Sequence, residues 1–87
     1  MKLVKFEQDG CRSCQILDNI LKQELNVEPD EVLNVSHDAT AVEKASELGI
    51  MSLPVLALYD DDGNVIDKVV GTNIDAVKEI CKKRGLL

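Results

Sequence analysis

Gly10-Cys11-Arg12-Ser13-Cys14 is the stretch on which the fold turns. Before it stands a short apolar run, Leu3, Val4 and Phe6. After it Ile16, Leu17, Ile20, Leu21 and Leu25 recur at helical spacing. A strand therefore hands over to a helix at the two cysteines. Helix positions i and i+3 share a face with their Cβ atoms about 5–6 Å apart. Bridged Cα atoms usually lie within roughly 4.4–6.8 Å, so this pair can open and close with little movement.

Three chemistries compete for the pair. A structural disulfide is the plainest, but the stabilisation from a bridge grows with the loop it closes, and this loop is minimal. Zinc usually takes four ligands, and beyond the pair only Cys81 and His37 are offered, without ligand spacing to each other. Redox chemistry accounts for the spacing and the location together, because Cys-x-x-Cys beside a βαβ pattern is a redox signature.

Composition narrows the partners. A formal charge of −6 over 87 residues argues against nucleic acid and anionic membranes, both of which demand a basic face. With Phe6 and Tyr59 the only aromatics, the core must be built from Val, Leu, Ile and Ala. Three cysteines is an odd number, which suits a reducing compartment better than a secreted disulfide scaffold. The N-terminus has no apolar run long enough for a signal peptide, and no stretch is long enough to span a bilayer. The expectation is a cytoplasmic protein of one domain, residues 1–87.

Outward from the cysteines, the pattern predicts a first strand over Leu3–Phe6 and a helix over Cys11–Leu25, broken by Asn26 and Pro29. Val32, Leu33 and Val35 form a second strand. Thr40-Ala41-Val42-Glu43 reads as a capping box, opening a short helix with Ala41, Val42, Ala45 and Leu48 inward and Gly49 as its stop. His37, in the loop before it, reads as solvated surface. Pro54–Tyr59 is almost unbroken apolar, as expected of a strand buried on both faces. Asp60-Asp61-Asp62-Gly63-Asn64 forms a hairpin turn; its acids do not make a calcium loop, because the required glycine falls at Val65. Val65–Val70 is the last strand. A final helix carries Ile74, Val77, Ile80 and Cys81 inward, with Lys82, Lys83 and Arg84 complementing its C-terminal dipole. Cys81 reads as a small buried hydrophobe. The order is β-α-β-α-β-β-α. The first two strands should be parallel and the last two antiparallel, and pattern alone does not say which earlier strand the hairpin joins.

A strand, Cys-x-x-Cys opening a helix, and some forty residues to a proline heading a buried strand resemble the thioredoxin and glutaredoxin-like family. Glu47-Leu48-Gly49-Ile50-Met51-Ser52-Leu53-Pro54 is similar to the segment before that family's cis-proline, and Val69-Val70-Gly71 to the end of its last strand. The likeness spans essentially the whole chain. It implies an α/β minimal thioredoxin fold, with a four-stranded mixed sheet in order 2-1-3-4, helices on both faces, and Pro54 cis and facing the cysteines. It also implies roles: Cys11 as nucleophile, Cys14 as resolving thiol, and Pro54 as the proline of the substrate groove. The free backbone of Leu53 is expected to pair with an extended substrate segment. Arg12 is expected to supply a cation near Cys11.

The implied activity is that of a protein-disulfide reductase. It needs no cofactor and no metal, acts on disulfide-containing proteins, and draws electrons from a partner like thioredoxin reductase; the chain is expected to be a monomer. Three rival readings stand beside it: a glutaredoxin-like protein dependent on glutathione, a binding module on the same fold with vestigial cysteines, and a dimer sharing an iron–sulfur cluster or a bridging zinc through Cys11. The sequence also departs from the family. Arg12-Ser13 replaces the usual Gly-Pro, and Gly10 replaces the tryptophan before the first cysteine. Only one glycine stands in Gly71-Thr72-Asn73, where glutaredoxins carry a pair. Lys5 occupies the place of the family's buried aspartate. Its ammonium is expected to snorkel to the sheet edge, leaving Glu7 or water to take the proton from the resolving thiol.

Overall fold

The computed structural model describes residues 1–87. The chain runs β1 (Lys2–Glu7), α1 (Arg12–Asn19), a π-helical turn (Ile20–Glu24), β2 (Glu31–Asn34), α2 (Ala39–Glu47), β3 (Val55–Tyr59), β4 (Val65–Val70) and α3 (Ile74–Arg84). The strands form one sheet in the order β2-β1-β3-β4. β1 is parallel to β2, with Phe6 opposite Leu33. β3 runs antiparallel to β1, with Lys5 opposite Leu56, and β4 antiparallel to β3. The hairpin that pattern left unplaced therefore joins the sheet through β1. This is the minimal thioredoxin topology that the resemblance implies.

Alternation along β1 sorts the core into two layers. Leu3 packs with Leu17, Ile20, Leu21, Leu56, Val77 and Ile80 beneath α1 and α3. Val4 and Phe6 pack on the opposite face with Leu33, Ala41, Ala45 and Val55 beneath α2. Strand side chains alternate between faces, so Lys5 and Glu7 fall on the α1/α3 side with Leu3. Leu17 is fully buried there, which is worth roughly 1.5–3 kcal/mol relative to exposure.

Three local readings are corrected. The first helix does not run from Cys11 to Leu25: Cys11 is its N-cap, and the regular α-helix ends at Asn19. The next turn widens, with the Leu25 N–H donating to the Ile20 carbonyl five residues back. Asn26 then reverses the chain at φ 52°, a left-handed conformation that asparagine tolerates better than most residues. The second helix is capped by Asp38, whose carboxylate accepts the Thr40 N–H, so Thr40 lies inside the helix rather than at its cap. β2 ends at Asn34, leaving Val35 beyond it. The last helix starts from Asn73, whose side chain accepts the Ala76 N–H, and stops at Gly85 in the left-handed region; Ile74, expected inward, is 37% exposed.

Candidate active site

Cys11 stands at the mouth of α1 in extended conformation, φ −102° and ψ 103°. Its sulfur accepts the Cys14 N–H at 3.2 Å. It is disulfide-bonded to Cys14, with Cα atoms 5.2 Å apart, so the structure shows the oxidised form. Helix N-terminal amides favour an anion, and the sulfur they meet is that of Cys11. Gly10 delivers the chain to this cap at φ 65°. Cys11 is partly exposed, whereas Cys14 is only 4% exposed. Access and field therefore both single out Cys11.

The second wall is the loop before β3. Leu53–Pro54 is a cis peptide bond, and Pro54 is buried. The Ser13 hydroxyl donates to the Leu53 carbonyl at 3.2 Å and lies 3.5 Å from the Cys11 sulfur. The structure thus brings Leu53 to the cysteine turn, through a serine to which the sequence reading gave no part. Its signal was slight, since a small hydroxyl between two cysteines has no partner until the fold supplies one. Arg12 is exposed on the first helical turn. Beside Leu53 an apolar groove of about 420 Å³ runs toward α2, lined by Val42, Ala45, Ile50 and Met51 among others. Met51 is 95% exposed at its edge.

Beneath the cysteines, the expectation for Lys5 fails. Its side chain is 1% exposed and does not reach the sheet edge. A buried ammonium needs a paired anion. Lys5 Nζ finds two, donating to Glu7 Oε1 at 2.7 Å and to Asp18 Oδ1. Glu7 shares its face of β1, and Asp18 comes from α1. An aspartate at position 5 would meet these two as a third carboxylate, so the charges already present require the lysine.

Asp9, just ahead of Gly10, is braced from across the sheet end. It accepts from Asn34 Nδ2 at 3.1 Å, its N–H donates to the Ser36 hydroxyl at 3.0 Å, and His37 Nε2 lies 2.5 Å from Asp9 Oδ2. His37 thus steadies the loop leading to the site while itself exposed. Cys81 is fully buried on the inner face of α3, and burial pushes its thiol pKa up.

Comparison with known proteins agrees with this geometry. Thioredoxin from Plasmodium falciparum superposes with a TM-score of 0.69 at 20% identity, over 94% of this chain and 83% of that one. Oxidised mitochondrial thioredoxin 3 from Saccharomyces cerevisiae gives 0.69 at 23%, over 93% and 76%. Thioredoxin f2, in its complex with ferredoxin:thioredoxin reductase, gives 0.69 at 18%, over 95% and 76%. These likenesses establish a thioredoxin fold. No protein-family model matches the sequence. The SPbeta prophage-derived thioredoxin-like protein YosR of Bacillus subtilis is 31% identical over 83 residues, spanning 95% of this chain and 98% of that protein. The chain belongs to the thioredoxin-like proteins.

Proposed function

We propose that the protein reduces disulfides in other proteins, with Cys11 as the attacking thiolate and Cys14 as the resolving thiol. The observation that carries this reading is the Cys14 N–H directed at the Cys11 sulfur at the mouth of α1. Cys11 S⁻ attacks one sulfur of the substrate disulfide, and the other leaves as a thiolate. Cys14 then displaces the second substrate sulfur and closes the bridge to Cys11. The substrate gains two electrons and the protein loses two.

The backbone of Leu53, set by its cis bond to the buried Pro54, receives the substrate segment as an added strand. The neighbouring apolar groove and exposed Met51 favour a protein substrate over a small thiol. Arg12 lends a cation at the rim, worth about 0–1 kcal/mol at such exposure. Electrons return from a reductase of the thioredoxin reductase type. No helix is long and apolar enough to cross a membrane, and we place the protein in the cytoplasm as a monomer, residues 1–87 acting as one domain.

Insulin-disulfide reduction with single-cysteine variants tests the roles. Cys14→Ser should accumulate a mixed disulfide through Cys11, detectable by mass spectrometry. Cys11→Ser should form none and be inactive, while Cys81→Ala should turn over normally. Trapping through Cys14 in the Cys11→Ser protein would reverse the assignment.

A further inference from the structure

Lys5 needs one carboxylate and has two. With Glu7 and Asp18 both ionised around one ammonium, the cluster carries one negative charge in excess. It can therefore take up a proton and still leave Lys5 paired. Lys5 is closed off at 1% exposure, but Glu7 and Asp18 are 25% and 40% exposed. Both open onto a cleft of about 300 Å³ that is also lined by Cys11 and Cys14. Asp18 follows Cys14 by four residues in α1, which places the two on one face of the helix, a turn apart. Asp9 is the other acid on this cleft, and it is engaged by Asn34 and His37.

We propose that Asp18 takes the proton from the Cys14 thiol when Cys14 resolves the mixed disulfide, and that Lys5 is the positioning residue holding Asp18 on the cleft. The proposal rests on the roles assigned above to Cys11 and Cys14. The Cys14 proton passes through cleft solvent to the Asp18 carboxylate, and Glu7 stays ionised on Lys5. The Cys14 sulfur attacks Cys11; the bond between Cys11 and the substrate sulfur breaks as the Cys11–Cys14 bond forms. The electron pair departs on the substrate sulfur, which is protonated by Asp18 or by solvent. The cluster passes from one negative charge to neutral and back, and the buried ammonium is never unpaired.

An aromatic disulfide such as 5,5′-dithiobis(2-nitrobenzoate) separates the two steps, because attack by Cys11 and resolution by Cys14 each release one coloured thiolate. In stopped-flow single turnovers of the reduced protein, Asp18→Asn should leave the first phase unchanged and slow the second by about tenfold or more at neutral pH, a modest share of what general-base catalysis supplies. The second-phase rates of variant and wild type should converge above about pH 9, where a thiol ionises without help. Asp18→Glu should recover most of the rate. Lys5→Met, which exchanges the buried charge for apolar volume, should slow the second phase in the same pH-dependent way. The fold of Asp18→Asn is protected because Glu7 still pairs with Lys5. Unchanged second phases overturn the proposal, as does slowing of both phases alike or slowing that persists at high pH, since either makes Asp18 only a structural partner of Lys5. Failure of the underlying reading shows separately: wild-type protein would lack a first phase that Cys11→Ser abolishes.

Discussion

Ser13 has one hydroxyl proton and faces two acceptors, the Leu53 carbonyl and the Cys11 sulfur. In the disulfide form the proton goes to Leu53. Once Cys11 is a thiolate, the anion is the stronger acceptor, and turning the hydroxyl toward it frees the Leu53 carbonyl for a substrate N–H. Ser13→Ala should therefore move the pH midpoint of Cys11 alkylation upward, by up to about one pH unit, since a hydrogen bond to a charged group contributes about 1.5–3 kcal/mol and solvent replaces part of it. An unchanged midpoint in iodoacetamide titrations would show that the hydroxyl never turns. At this scale the sequence was legible where chemistry is local. Cys11 and Cys14 identify themselves by spacing, and Cys81 by its place in an apolar stripe. Lys5 was not legible, because its fate depends on Asp18, thirteen residues away on another element. A lysine in an apolar strand announces a problem without naming its solution.

The strands and α-helices were legible in number and type, and β4 in its ends as well, but the ends of α1, β2 and α2 were not. Two N-cap candidates stand two residues apart before α2, Asp38 and Thr40, and the capping-box pattern favours the second because Glu43 follows it. The structure uses Asp38, with its Oδ1 accepting the Thr40 N–H at 2.9 Å. Propensity cannot separate two such residues, since both cap well; the path of the loop from β2 decides. Asp38→Ala should then cost about 1 kcal/mol in chemical denaturation, while Thr40→Ala, inside the helix, should cost nothing or stabilise slightly. The opposite ranking would return the cap to Thr40. The widened turn after Asn19 was invisible for a related reason. Ile20 and Leu21 keep their apolar spacing and are both buried, so nothing in the periodicity marks a change in hydrogen bonding.

On the scale of the whole molecule, the parallel β1–β2 pair and the β3–β4 hairpin followed from pattern, but the pairing of β3 with β1 came only through family resemblance. One polar junction ties the distant parts together. Asp30, between the π-helical turn and β2, exchanges two hydrogen bonds with Leu3 of β1: the Leu3 N–H donates to its Oδ2 at 2.7 Å, and its own N–H donates to the Leu3 carbonyl at 2.9 Å. The same carboxylate receives the fork of Arg84 from the last turn of α3, at 2.7 and 2.9 Å. The Arg84 bond is the main reason that the Asp30 pKa lies below 3.8; burial works against it, and the Leu3 N–H adds a further lowering. A carboxylate whose pKa is depressed by folding stabilises the fold in full above its unfolded value. That stabilisation is lost as pH falls through the folded value. Asp30→Asn should accordingly lower the melting temperature at pH 7, and the gap to wild type should narrow as pH drops below 3.8. The charge contribution keeps shrinking as pH falls toward the depressed folded value. Melting curves of the two proteins between pH 7 and pH 2 measure it. A gap that stays constant down to the lowest pH would mean that the junction holds β1 to α3 by the shape of the side chain, with its charge contributing nothing.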